Sequence, residues 1–187
     1  MTPEDLLLTS PPIPEKLIER FGNRDASVGV MRDGTVEFLR VGSATAMTPE
    51  KTIYLISSLT KPILAVAVGV LVASGKVELE TPVKDILPLG AHNGTLRVVD
   101  LLDHRSSFYG SDRLWEGHDG RINVQNADEI LGLLRTLSLN ADSKGSCSNF
   151  DYALLAMIIQ RKSGMGWADF IHKRIFAPLG MSRSTVD

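Results

Sequence analysis

The sequence predicts an α+β fold, an N-terminal β-hairpin plus a helical region. Two short β-prone runs, Ser27-Val28-Gly29-Val30-Met31 and Thr35-Val36-Glu37-Phe38-Leu39, flank Asp33-Gly34. Asp-Gly tolerates the positive φ angles of a tight hairpin turn. Beyond residue 58 the apolar residues recur at helical spacing, and glycine or proline closes most runs. With 187 residues the chain suits one domain with a real core, residues 1–187, and is too short for two ordinary ones.

Taken in order, residues 14–21 read as a short amphipathic helix with Leu17, Ile18 and Phe21 on one side. The hairpin follows, then a loop over 42–52. The helix expected at 59–74 is apolar all round, so it belongs at the centre of the core, with Gly75 as its stop. Gly69 inside it marks either close packing against a neighbour or a tolerated cost. Residues 77–87 read as a loop and 96–102 as a helix ending near Asp103-His104. Residues 104–125 show no period and read as a long surface loop. Asn126 followed by Glu129 has the form of a reciprocal cap opening a helix to about residue 137. Asn149 opens a helix over 150–162 with Leu154, Leu155, Ile158 and Ile159 inward and Gly164 at its end. Residues 167–176 form a last helix, stopped by Pro178.

Composition narrows the function. Hydrophobic residues make up 43% and charged residues 22%, ordinary for a globular domain. A net charge of −2 without any basic block gives no sign of a nucleic-acid partner. The apolar run at 63–73 falls well short of the about 20 residues that a bilayer needs, so no membrane role is expected. Residues 1–20 lack the basic start and apolar core of a secretory signal, and Cys147 is the single cysteine, so a cytoplasmic protein is expected. His92, His118 and His172 have no ligand spacing with one another or with Cys147, so no metal and no cofactor is implied.

The most informative stretch is Ser57-Ser58-Leu59-Thr60-Lys61-Pro62 at the mouth of the apolar helix. Residues three apart share a helical face, so the Lys61 amine can reach the Ser58 hydroxyl. A serine becomes an effective nucleophile when a neighbouring base takes its proton, and a lysine can be that base when burial or nearby positive charge disfavours its ammonium form. A helix N-terminus adds a positive field suited to a developing oxyanion. Ser-x-x-Lys is nonetheless a loose pattern that average composition yields about once in a chain of this size. The alternative reading is that Ser58 caps the helix and Lys61 is solvated.

Six blocks in order resemble the serine β-lactamase-like superfamily, in particular its branch of class C β-lactamases, esterases and acyltransferases. Ser58-Leu59-Thr60-Lys61-Pro62 matches the nucleophile motif, and Val28-Gly29-Val30-Met31-Arg32-Asp33-Gly34 is similar to the first strand and turn. Gly75-Lys76-Val77-Glu78-Leu79-Glu80-Thr81-Pro82-Val83 is similar to the segment after the nucleophile helix. Leu101-Leu102-Asp103-His104-Arg105-Ser106-Ser107 resembles a Leu-Leu-Thr-His-Thr-Ser-Gly block, whose histidine looks structural. Ser148-Asn149 with Tyr152-Ala153-Leu154-Leu155 resembles the second catalytic block, and Pro178-Leu179-Gly180-Met181 with Thr185 a structural stretch further on. The resemblance implies a β-lactamase/transpeptidase-like fold.

Two departures bear on what carries over. The family's second block reads Tyr-x-Asn, its tyrosine taken as a base working with the lysine, and that position here is Cys147. A thiol lies nearer the backbone and has a lower reference pKa, about 8.5 against about 10 for a phenol. Cys147 reads either as a thiolate beside Lys61 or as a small buried hydrophobe without chemistry. Asn149 keeps its family place, although a helix cap explains it equally. Tyr152 and Tyr109 are the aromatics that can substitute for the phenol. Secondly, the sequence stops at Asp187, before the C-terminal sheet strands that carry the family's third motif and one of two oxyanion-hole donors. Losing one such donor typically costs about 3 kcal/mol of transition-state stabilisation. A homo-oligomer or a partner chain then completes the sheet, or the product is truncated and impaired.

The resemblance therefore implies a serine hydrolase or acyltransferase. Ser58 attacks an ester, thioester or amide of a small-molecule acyl substrate, and Lys61 takes the proton. Lack of a secretion signal favours an esterase or transacylase of secondary metabolism over a cell-wall or antibiotic target. The competing reading is a non-catalytic binding or assembly subunit, favoured by Cys147 and the missing third motif. Phe108 and Trp115 are read as either acyl-pocket or packing residues. An Asp103-His104 pair acting on a distant serine is discounted, because adjacent residues point different ways.

Overall fold

Asp33 and Gly34 both take positive φ, 49° and 79°, and turn the chain between two antiparallel strands, β1 (Ala26–Arg32) and β2 (Thr35–Val41). Arg32 pairs with Thr35 and Ala26 with Val41, so the two-residue turn sets the register of the whole ladder. The computed structural model describes residues 26–41, 53–89, 95–106, 108, 126–136 and 147–186. The helix expected at 14–21, the 42–52 loop, Tyr109, Trp115, His92 and His118 lie outside them. The chain divides into two compact units, Met1–Leu55 and Ile56–Asp187. Among the described residues the sheet has these two strands.

In the second unit a 3₁₀ turn, Ser57–Leu59, leads directly into α1 (Thr60–Ala73). Short helix α2 spans Val98–Leu102, α3 Ala127–Thr136, α4 Asn149–Ser163 and α5 Trp167–Ile171. Gly75 stops α1 as expected. It takes a φ of 68°, its N–H donates to the Val72 carbonyl, and the Lys76 N–H reaches back to Leu71, which is a Schellman closure. The helix expected at 167–176 changes character midway, since His172–Phe176 winds as a π-turn and the Ala177 N–H donates to the His172 carbonyl.

The core lies where α1, α2 and α4 meet. Leu64, Ala67, Val68 and Leu71 form the buried stripe of α1 at i, i+3, i+4 and i+7. Leu154, Leu155, Ile158 and Ile159, all fully buried, face them from α4. Phe108 belongs to this core, packing its ring 6.3 Å from that of Phe150, and so is not a pocket residue.

One expectation fails on α1. The helix is apolar all round but not buried all round: Leu59 is 67% and Val66 54% exposed, and Pro62, Gly69 and Ala73 share that open side. No described atom lies within 4 Å of where a Gly69 side chain would begin, so close packing does not explain that glycine. Uniform hydrophobicity says that a helix prefers burial on every side. It does not supply the layer that would bury it.

Candidate active site

Ser57 takes a φ of 46°, a left-handed conformation that non-glycine residues seldom adopt. The distorted turn sets Ser58 at the start of α1, with the positive end of the helix dipole behind it. One turn further on, Lys61 Nζ lies 3.0 Å from Ser58 Oγ. The same nitrogen donates to Asn149 Oδ1 at 2.9 Å and stands 5.9 Å from the centroid of the Tyr152 ring. Among the described residues no carboxylate forms an ion pair with Lys61. Ser58 is exposed and Lys61 half-buried, so the pair opens to solvent on one side.

The start of α4 is built to bring Asn149 there. Ser148, not Asn149, is the N-cap: its Oγ accepts the Phe150 N–H at 3.2 Å. Relieved of capping, the Asn149 side chain points to the lysine. Behind it, Asp151 is completely buried and its Oδ2 lies 3.0 Å from His104 Nδ1. The Ser148 N–H approaches the same ring nitrogen at 3.2 Å. His104 also tilts against Tyr152, with centroids 5.1 Å apart, so it ties the end of α2 to the start of α4. Asp103 turns away and pairs with Arg105 at 3.0 Å, so the adjacent aspartate plays no part in a triad.

Two sequence expectations change here. Cys147 is exposed, not a buried hydrophobe, and it neither hydrogen-bonds Ser58 or Lys61 nor lines their cavity. Tyr152 offers Lys61 its ring, while its hydroxyl donates to the Leu102 carbonyl at 3.4 Å, so the phenol is not aimed at Ser58. Burial, reinforced by the charges of Asp151, Cys147 and Asp103, pushes the Tyr152 phenol above its ordinary pKa and keeps it neutral. Asp151 went unnoticed in the sequence. Its signal was position, since it falls on the inward stripe of Leu154, Leu155 and Ile158, where a carboxylate demands a partner.

A cavity of about 690 Å³ opens beside the pair. Ser57, Ser58, Thr60, Lys61, Asn126, Asn149, Tyr152 and Gln160 are its polar lining, and Leu64, Ala127, Ile130, Ala153, Ala156, Met157 and Trp167 supply the rest. No cluster of three His, Cys, Asp or Glu side chains able to hold a metal occurs among the described residues. Nor is any described helix long and apolar enough to cross a membrane. The arrangement can carry out one kind of chemistry directly, transfer of a proton between a serine hydroxyl and a lysine amine at a helix N-terminus.

Residues 15–187 match the family described as Beta-lactamase. Penicillin-binding protein 4* of Bacillus subtilis (strain 168) is 30% identical over 151 residues, covering 76% of this chain and 33% of that protein. The solved D-amino acid amidase of Ochrobactrum anthropi SV3 superposes with a TM-score of 0.73 at 26% identity, over 89% of this chain and 51% of that one. A class C beta lactamase from Rhodobacter sphaeroides gives a TM-score of 0.69 at 25% identity, over 89% of this chain and 47% of its own. The chain thus spans between a third and about half the length of these relatives.

Proposed function

The chain belongs to the beta-lactamase family, and from that premise we propose that it carries the nucleophile of a serine acyl-transferring hydrolase. The observation that carries the reading is the 3.0 Å contact between Ser58 Oγ and Lys61 Nζ, with Asn149 Oδ1 2.9 Å from the same nitrogen. A neutral lysine amine has two N–H donors and one lone pair. When one N–H is given to Asn149, the lone pair can face the Ser58 hydroxyl. Ser58 Oγ then attacks the carbonyl carbon of an ester, thioester or amide as its proton passes to Lys61. The tetrahedral intermediate collapses when Lys61 returns that proton to the leaving group. Water or an alcohol, activated by the same amine, releases the acyl group from Ser58. The names of the relatives, a penicillin-binding protein, a class C beta lactamase and a D-amino acid amidase, support a substrate with an acyl carbonyl.

A second reading, a binding or assembly subunit without turnover, is favoured by one observation. Cys147 occupies the position of the family's tyrosine yet lies on the surface without touching Lys61. Covalent labelling separates the two. A fluorophosphonate or β-lactam probe should add one adduct by intact mass, and Ser58→Ala should abolish it. An unmodified mass at millimolar probe would establish the non-catalytic reading instead.

A further inference from the structure

We propose that the cavity beside Ser58 is an acyl-chain pocket, so that the substrate class is an ester, thioester or amide of an unbranched apolar acid. The inference rests on the acyl-transfer reading and specifies which acyl group the site takes.

Asn149 begins the α4 stripe beside Lys61, Gln160 ends it, and Ala153, Ala156 and Met157 lie between them. Lys61 is the one charged residue among its described lining, and it sits beside the nucleophile. Leu64, Ala127, Ile130, Ala153, Ala156 and Met157 add lining that offers no side-chain hydrogen bond and no charge. An acidic or basic substituent lying against these side chains would lose its water without gaining a partner. An aliphatic chain loses nothing there and removes apolar wall from water.

The length comes from α4. Asn149, Tyr152, Ala153, Ala156, Met157 and Gln160 all line the cavity and follow one stripe of the helix. At about 1.5 Å of rise per residue this stripe runs for roughly 16 Å, the reach of an extended chain of about twelve carbons. Ala153 and Ala156 are the two smallest side chains on the stripe, and they hollow it where a chain would lie. Both remain half-exposed, as do Met157 and Trp167, so apolar surface stays wet until something covers it. The cavity's volume falls within the range of sites that enclose small organic ligands.

The test uses the full chain and p-nitrophenyl esters of acetate, butyrate, octanoate and decanoate. Each buried methylene should raise kcat/KM about fourfold, giving a steep climb from acetate toward decanoate. Ala156→Phe fills the hollow, so the decanoate-to-acetate ratio should fall by tenfold or more, with folding checked by thermal melting. Ala153→Val, a smaller intrusion, should give an intermediate ratio. Acetate turnover with a flat chain-length profile would overturn the pocket and leave the serine hydrolase reading intact. Decanoate binding to Ser58→Ala, read by calorimetry, reports on the pocket without turnover. If no ester is cleaved yet decanoate binds and Ala156→Phe weakens it, the pocket stands and acyl transfer falls. Absence of both turnover and binding overturns the pocket.

Discussion

At Lys61, the chemistry depends on what stands beside one nitrogen. Asn149 offers it a neutral oxygen at 2.9 Å. Replacing that oxygen by a carboxylate of nearly the same shape, Asn149→Asp, sets a negative charge against the amine and favours its protonated, non-basic form. Acylation at neutral pH should slow by about tenfold or more and recover as pH rises, which stopped-flow measurement of p-nitrophenol release will show. A rate that falls equally at all pH values would count against the role given to Lys61. Cys147 yields the opposite expectation. Being exposed and out of contact with Ser58 and Lys61, it should tolerate Cys147→Ser with less than about a twofold change in the rate of the proposed acylation, and alkylation should leave that rate unchanged. The serine and lysine were legible because three-residue spacing within a helix fixes proximity locally. Asn149 lies 88 residues from Lys61, and no local rule brings the two together; only the family block marked it. Capping and lysine contact require the same residue type there, and Ser148 settled the choice by taking the cap.

The element scale is governed by how the short helices are pinned. Burial tends to raise the Asp100 pKa, but hydrogen bonds from the Arg97 side chain and backbone, together with the charges of Arg97 and Arg105, outweigh it and hold the carboxyl below its usual value. Asp100 accepts the Arg97 backbone N–H at 2.9 Å and Arg97 Nε at 3.0 Å, which closes the first turn of α2. A carboxyl whose folded pKa is depressed stabilises the fold fully above its unfolded value, near about 4. That contribution disappears as pH falls through the lower folded value. Urea titrations stepped from pH 6 downward should therefore show the native chain losing stability more steeply than Asp100→Asn, with the two curves converging in acid. His104 pins α2 to α4 through buried Asp151, and removing a hydrogen-bond partner of a charged group costs about 2 kcal/mol. His104→Ala should lower stability by about that much and, by loosening the turn that carries Asn149, reduce ester hydrolysis as well. The helix ends were legible wherever glycine or a cap made them. Asn126 and Glu129 do close the start of α3, although the carboxylate accepts from the asparagine side chain at 2.6 Å in place of its backbone. The π-turn at His172–Phe176 was not legible, because a change from i+4 to i+5 bonding over five residues leaves no trace in side-chain periodicity.

At the scale of the whole molecule, the sequence disclosed an α+β order and the β1–β2 hairpin but misjudged how much of α1 is covered. Hydropathy along α1 is uniform, so its period could not tell the core side from the open side. Only the tertiary layout, with α4 packed on the Leu64, Ala67, Val68 and Leu71 stripe, separates them. On the open side Leu59, Pro62, Val66, Gly69 and Ala73 form a continuous apolar line. Apolar surface of this kind promotes association and dye binding. Val66 is 54% exposed and β-branched in mid-helix, so burial gives it little while its stiff side chain is mildly unfavourable there. Val66→Lys should accordingly leave stability unchanged or raise it by a few tenths of a kcal/mol, measured by urea unfolding. Binding of a hydrophobic fluorescent dye should drop, and light scattering should show a larger monomer fraction. The same substitution at Val68, which is fully buried, should cost several kcal/mol by placing an unpaired charge in the core. Equal losses at the two positions would mean that the open side of α1 is covered in solution.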